Sequence, residues 1–591
     1  MFILATFWHF LVTSIWFLAL GYGVANTGAS RNSSRAASLP YLLALGISAQ
    51  TVGVCLLFYY GLEILPAWRL CSIGLLAFSA WRLWLNRSDL LHPRNTRRFL
   101  DTNTALAILA VAGIGIVFQR MEGFGISGIL IDARRDVRYV ESLQYGLPTY
   151  YSFAQERVGA SILVDAIKRV NRLSVTEALA ISHFFIIWVT QWVLADAVGC
   201  FLKKRSTVPK WIAAAVLCAV FFNQLSWFMA FHGFLNQALF TLAYVSALSI
   251  LLTKQTAPNL LLLLLINCLS FMSYSISMTV PLIITEMGLL TFYRGREFLR
   301  AIRSYSLSSW GVAAALLVFL SILFVPSYKY IFVYVKTNPE MVNDASRLKA
   351  TDIHFFTELT NIVGLTHHSN NHENLERKEI RKFKLGGFYL TLLDALSLIL
   401  VGMSMAAFFF IQKRLFIIPL IWMAFMFQFR LLLPFPYAYF KYTSAFSIAF
   451  MIGTALTLVW LCTKQKQVLS FCIALPLATL GGLQFSRNIY HFSSHGYYLA
   501  PAIPRLSKLY QNLRPACKVD IADSIAPAYW NYWMEELFPP FSPTIIRTKP
   551  HCILMTSDRF PSMFGSDAPT GALITDNDWG LFVPSEATQA Q

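Results

Sequence analysis

Apolar residues recur along this chain in runs, at about 2–24, 40–62, 68–85, 104–119, 175–202, 211–223, 236–253, 259–277, 279–292, 310–325, 387–412, 415–431, 437–462 and 468–485. A helix needs about 20 apolar residues to cross a bilayer core of about 30 Å. The pattern therefore predicts an all-α polytopic transmembrane bundle of about 14 hydrophobic helices. The stretch Leu260 to Phe292 is far too long for one span. It is expected to form two short helices meeting at Ser273 to Pro281, either as two elements or as a re-entrant pair.

The connectors carry an orientation. Basic residues resist translocation and collect on the cytoplasmic side. They fall in every second connector: Arg31 and Arg35; Arg87, Arg94, Arg97 and Arg98; Lys203, Lys204, Arg205 and Lys210; Lys254; Arg294, Arg296, Arg300 and Arg303; Lys413 and Arg414; Lys464 and Lys466. The alternate set holds the large segments 120–174 and 326–386, the uncharged turn Asn223 to Gln237 and the tail from Ser486, all expected outside. This divides the chain into a multi-spanning membrane domain, 1–485, and an extracytoplasmic C-terminal domain, 486–591.

Composition agrees with this division. Of 591 residues, 56% are hydrophobic and only 13% charged, against about 25% charged for a soluble domain. The net charge of +18 reads as topology and not as a nucleic-acid surface, because the Lys and Arg residues sit between apolar runs. Seven cysteines lie in or beside those runs, and only Cys517 and Cys552 fall in the tail, where an oxidising compartment would allow a disulfide. Met1 to His9 lacks a basic n-region and cleavage site, so the first run is expected to be a retained helix. The Asn-x-Ser/Thr sites, Asn32 and Asn86, fall in the cytoplasmic set, which favours a bacterial inner membrane over an endoplasmic reticulum.

The tail reads as a small α/β unit. Strands are expected at Lys518 to Ile521, Thr544 to Arg547, Cys552 to Met555 and Leu573 to Thr575, with an aromatic helix at Ala528 to Leu537.

Candidate chemistry concentrates in the first outer segment. Ile131-Asp132-Ala133-Arg134-Arg135-Asp136-Val137-Arg138-Tyr139 is followed by Gly146-Leu147-Pro148 and then by Glu156-Arg157-Val158-Gly159. Mixed charge at a membrane surface can hold an anionic lipid head while leaving a carboxylate to take a proton from a hydroxyl. The plainer reading is a solvated amphipathic helix with its Arg and Asp paired along it. Asp196, Glu286 and Asp394 fall inside apolar runs, where carboxylates are costly. Asp196 and Glu286 are expected to pair at the basic ends, and Asp394 to pair near the outer end or line a cavity. His367-His368-Ser369-Asn370-Asn371-His372-Glu373 matches no standard zinc spacing, so no cofactor is called for, with a divalent metal as the alternative. Walker A, dinucleotide-binding and nucleophile-elbow motifs are absent from the sequence.

On these motifs the chain resembles the large polytopic glycosyltransferases of the GT-C type. They share an outer-loop Asp, a Gly-Pro turn and a Gly-started amphipathic helix, matched here by Asp136, Gly146-Leu147-Pro148 and Gly159 before Ala160 to Val170. The likeness extends to the outer turn Trp227 to Gln237, the short helix pair around Ser273 to Pro281, and Pro436-Tyr437-Ala438-Tyr439-Phe440-Lys441-Tyr442. It covers most of residues 104 to 462 through scattered short motifs. The Asp loop follows the fourth apolar run, whereas many members place it after the first helix, so Asp132 stands as the alternative base. The resemblance implies transfer of a sugar from a polyprenyl-phosphate-linked donor to a glycan, lipid or protein acceptor on the outer face, with Asp136 as general base. Arg138, His232, Arg430 and Lys441 would hold the donor phosphate. Plainer readings are snorkelling for Arg430 and Lys441 and an interfacial cap for His232. The alternatives are an envelope polysaccharide polymerase or ligase, with its essential residues in the second outer segment around His354, and a lipid or sugar transporter or flippase.

Overall fold

The computed structural model describes residues 1–25, 38–85, 102–121, 158–203, 208–223, 235–252, 259–337, 386–428 and 436–494 as continuous stretches, isolated positions within 123–143, 227, 229, 362–363 and 506, and four strands after residue 518. Each apolar run of the sequence lies in a helical segment. The helices are α1 (Phe2–Ala25), α2 (Leu39–Tyr59), α3 (Ile64–Leu85), α4 (Thr102–Arg120), α5 (Val158–Asn171), α6 (Val175–Lys203), α7 (Lys210–Phe221) and α8 (Leu235–Leu252). They continue with α9 (Leu260–Phe292), α10 (Gly295–Arg303), α11 (Leu307–Thr337), α12 (Gly386–Ala406), α13 (Ile417–Phe427), α14 (Pro436–Thr463) and α15 (Gln467–Ser494). Among the described residues eight helices are long and apolar enough to cross a membrane, and five shorter apolar helices accompany them. The predicted run 415–431 is broken at its start: a π turn, Ala407–Ile411, ends α12, and a 3₁₀ turn, Lys413–Phe416, leads into α13.

The outer helices wear apolar residues outward. On α1, Leu4, Trp8, Leu11 and Ile15 are exposed, while Thr6 and Thr13 are buried with Phe10 and Phe17. Exposed Ile73, Trp81 and Trp84 on α3, Leu392, Leu398 and Ile399 on α12, and Leu469 and Leu475 on α15 extend this belt. Water would penalise so much contiguous apolar surface, and hydrocarbon does not. This is a membrane protein. Ala178 to Ala195 of α6 and all of α8 are buried and form the middle of the bundle. Hydroxyls inside the helices bond the carbonyl one turn back, as Ser48 does to Ala44, Thr190 to Ile186 and Thr241 to Gln237, which removes the cost of an unpaired polar group.

Small residues let the first two helices touch. A side chain at Gly21 would overlap the Leu42 carbonyl, and one at Gly46 the Phe17 carbonyl, so the α1 and α2 backbones meet directly, as small-residue helix pairs do in membranes. Buried Gln50 then bonds Trp16 on α1 at 3.0 Å and Ser72 on α3 at 2.9 Å. A capping box, Ser174 with Glu177, starts α6.

Long-range bonds fix which helix ends lie together. Gln119 at the end of α4 accepts from the Met1 amine and the Phe2 amide, each at 3.0 Å. At the opposite end, the buried Arg294 guanidinium donates to the Ile250 carbonyl at 3.1 Å and pairs with Glu297, capping the last turn of α8. There too the Tyr305 hydroxyl accepts from the Leu260 amide at 2.7 Å and donates to Asn259 at 2.9 Å. Burial raises the Tyr305 pKa above its ordinary value, which keeps the hydroxyl a donor. Lys210, Lys413, Arg414, Lys464 and Lys466 adjoin helix ends on this same basic side. The end of α4, both ends of the α7–α8 turn, the start of α12 and the end of α15 lie opposite, and α11 runs toward that side.

Within α9 the chain reverses. In a straight helix Ser270 and Thr279 would stand about 13 Å apart and Asn267 and Glu286 about 28 Å. Instead the two hydroxyls are 2.7 Å apart, and the Asn267 amide donates to the Glu286 carboxyl at 2.7 Å. The arms Leu260–Tyr274 and Met278–Phe292 are therefore antiparallel and share the basic end. Pro281 sits in the first turn of the second arm, where a missing amide hydrogen costs nothing. The expected pair of short helices is present as a hairpin. Glu286 departs from expectation, since its partner is Asn267 on the other arm and not a basic residue, and Asp196 and Asp394 are half-buried.

In the tail, β1 (Val519–Ile521), β2 (Cys552–Thr556), β3 (Gly571–Asp576) and β4 (Trp579–Pro584) form one sheet in the order β1-β2-β4-β3. β1 pairs parallel with β2, and β4 runs antiparallel to β2 and β3, with Asp576 opposite Trp579. Three of these strands match expectation and β4 was not expected. The predicted strand 544–547, the predicted helix 528–537 and Cys517 lie outside the described residues.

Substituting Gly21 with Leu is expected to destabilise the bundle by about 1–3 kcal/mol or more through forced separation of α1 and α2. A lowered melting temperature of the purified protein in detergent checks this; Gly74→Leu, where a side chain meets open space, serves as the control.

Candidate functional site

The polar residues that open α8 organise the end of the bundle opposite the basic side. Asn236 and Gln237 are both buried at the head of an otherwise apolar helix. Gln237 donates to Ser444 on α14 at 2.7 Å, tying the two helices together. Asn236 donates to the Asp136 carboxylate at a long 3.5 Å. Asp136 stands in a short helical turn whose neighbours Val137, Tyr139 and Val140 are buried, and is itself only 2% exposed. Before α8, Trp227 is pinned by its indole bond to the Phe221 carbonyl at 2.8 Å and by edge contact with Phe485 at 4.7 Å.

Aromatic rings lie one to two turns further along α8. Tyr244 packs on Trp422 of α13 at 4.9 Å, and Trp422 on Tyr442 of α14 at 6.2 Å. Phe240 lies 6.4 Å from Tyr274, the last residue of the first α9 arm. The hairpin tip thus reaches the aromatic layer beneath Asn236. α5 covers the tip from the other side, because Gly159 sits against Met272 so closely that a side chain would come 3.0 Å from its Cβ. The amphipathic helix that starts at Gly159 is sunk into the bundle, every residue from Val158 to Ile167 being buried. Asp165 inside it is paired with Arg169 at 2.6 Å, and Asn171 at its end bonds His9 and Thr13 of α1.

The chemistry of this end of the bundle is that of an acceptor. At the head of α8 the Asn236 Oδ1 and Gln237 Oε1 atoms are buried and receive no hydrogen bond, and Asn236 is the one in contact with the Asp136 carboxylate. Buried amide oxygens without donors carry a desolvation cost of about 1–3 kcal/mol each. Groups that donate hydrogen bonds, hydroxyls above all, would remove that cost. A carboxylate in the same place can accept a proton from one of them.

Of the residues read from the sequence, Asp136 is brought to this place. Lys441 falls in the first turns of α14, directly before buried Tyr442. Asp132, Arg138, His232 and Arg430 lie outside the described residues, as do His354, His367, His368 and His372. Among the described residues no group of three or more His, Cys, Asp and Glu is placed to hold a metal ion. The sequence reading did not single out Gln237, Ser444, Tyr244 or Trp422 as site residues. Adjacent amides at the head of a fully apolar helix were the available signal.

Replacing Gly159 with Val is expected to push α5 off the hairpin tip. The predicted results are a loss of about 1–3 kcal/mol of stability, read as a fall in melting temperature, and increased labelling of a cysteine placed at Met272.

Comparison with protein-family models, with curated proteins and with solved structures gives no match to this chain.

Proposed function

We propose that this protein is a membrane glycosyltransferase with a GT-C-like bundle. It would transfer a sugar from a polyprenyl-phosphate-linked donor to a hydroxyl acceptor on the extracytoplasmic face of a bacterial inner membrane. The observation that carries the reading is Asp136, a buried carboxylate in contact with Asn236 at the head of α8, where the Asn236 and Gln237 amide oxygens are buried without a hydrogen bond. In this reading the acceptor hydroxyl attacks the anomeric carbon, its proton passes to Asp136, and the bond to the phosphate breaks so that polyprenyl phosphate leaves. Asn236 and Gln237 orient sugar or acceptor hydroxyls. The leaving phosphate needs cations at headgroup depth, the role assigned to Arg138, His232, Arg430 and Lys441. Asp132 remains the alternative base, and the α/β tail with segments 120–174 and 326–386 forms the outer face of the enzyme.

A carrier that moves a lipid or sugar without chemistry is the second reading, favoured by one observation. Paired short helices with a buried carboxyl inside the membrane, as in α9, are a recurrent feature of transporters.

Asp136→Asn is expected to lower glycolipid product by about 100-fold or more while leaving the melting temperature near that of the wild type. Mass spectrometry of glycolipids in a deletion strain carrying each variant reads the effect. Full product from the Asn variant refutes Asp136 as the base. Purified protein that moves its substrate chemically unchanged replaces the transferase with the carrier.

A further inference from the structure

The α9 hairpin is closed by a carboxyl group that has no cation near it among the described residues. Glu286 is 4% exposed, and its Oε2 accepts from Asn267 Nδ2 at 2.7 Å. Among the described residues no Lys or Arg lies within ion-pair distance of it. α8 and α13, which pack on the hairpin, contain no charged residue, and α8 brings only Tyr244. α2 contributes Tyr41 and Cys55, and the first arm Cys268. At the basic end Arg294 is committed to Glu297 and the Ile250 carbonyl, while Arg296, Arg300, Arg303, Lys413 and Arg414 are exposed. The charged residues of α5, Asp165, Lys168 and Arg169, belong to the helix that caps the opposite, tip end of the hairpin. The described part of α11 packed on the hairpin, Leu307 to Ile322, has none.

Two atoms of the pair lack partners, and they are complementary. Glu286 Oε1 and Asn267 Oδ1 are both buried and both without a hydrogen bond. The Asn267 amide cannot be turned round, because its Nδ2 also donates to the Leu263 carbonyl at 3.0 Å. Two unsatisfied acceptors on one hydrogen-bonded pair in hydrocarbon each carry a desolvation cost, whereas one hydrogen shared between them would satisfy both. An ionised carboxylate at this depth would need a cation or several donors, and it has a single amide.

We propose that the hairpin is a proton-binding site in which Glu286 is held as the neutral acid, donating from Oε1 to Asn267 Oδ1 while Oε2 accepts from Asn267 Nδ2. The cyclic acid–amide pair joins the two arms without net charge. Ser270 and Thr279 add a second polar rung toward the tip. Loss of the proton would place a bare carboxylate between the arms and loosen the hairpin. This inference does not depend on the transfer reaction.

Infrared spectra of the full-length protein in lipid nanodiscs at neutral pH, wild type against Glu286→Gln, test the proposal. The wild type should show the carbonyl stretch of a protonated carboxyl, shifting in D₂O, that disappears in the variant; Asn267→Ala should shift that band. A difference spectrum containing only carboxylate bands overturns the proposal. Stability gives a second reading. Glutamine reproduces both bonds of the acid form, so Glu286→Gln should melt with the wild type and Glu286→Leu below it. A Gln variant that fails to fold, or melts with the Leu variant, contradicts the neutral clasp.

Discussion

Every polar group inside a hydrocarbon layer must find its partner within the protein, and the internal arrangement of this chain follows from that constraint. Apolar side chains gain little by facing one another when lipid is equally apolar, so they do not decide which helix meets which. Polar and small residues do. Gln50 joins three helices through Trp16 and Ser72, Ser404 joins α12 to Thr454 of α14, and Gly21 with Gly46 brings two backbones together. The hairpin is the strongest case, because its reversal is held by two side-chain rungs between arms of one continuous apolar sequence.

That reversal also has a consequence for the candidate site. Two arms entering from the basic end bring a tip up to the aromatic layer of Phe240, Tyr244, Trp422 and Tyr442. The layer closes the space below Asn236 and Asp136, and α5 closes the flank through Gly159. Buried acceptor atoms are thereby gathered at one end of the bundle. The segments 120–174 and 326–386 and the tail connect to helices that end at or run toward the same side.

Much of the helical layout was legible because length and hydropathy are properties of single segments. Each apolar run became helical, and the break near Ser273 to Pro281 was readable from excess length and a proline. Partner choice was not legible in the same way. Glu286 looked like a residue for the basic end, but the reversal moves Asn267, 19 positions away, directly onto it. α5 was legible only as an amphipathic helix, and its depth comes from contacts: Asp165 and Arg169 pair with each other, and every residue from Val158 to Ile167 is buried. β4 was missed although Asn577-Asp578 between two apolar stretches is a hairpin signal. At the site, Asp136 was legible as a carboxylate in a mixed-charge segment. Gln237 and Ser444 acquire meaning only through a contact between helices more than 200 positions apart in sequence.

The reversal within α9 is tested most directly by a distance between its ends. Spin labels at cysteines replacing Leu260 and Phe292, in a background free of native cysteines, would be read by pulsed electron paramagnetic resonance. Antiparallel arms predict one packed-helix spacing, about 10 Å between axes, plus the label linkers. A distance near the roughly 48 Å of a straight helix over the same residues would contradict the hairpin and the site arrangement built on it.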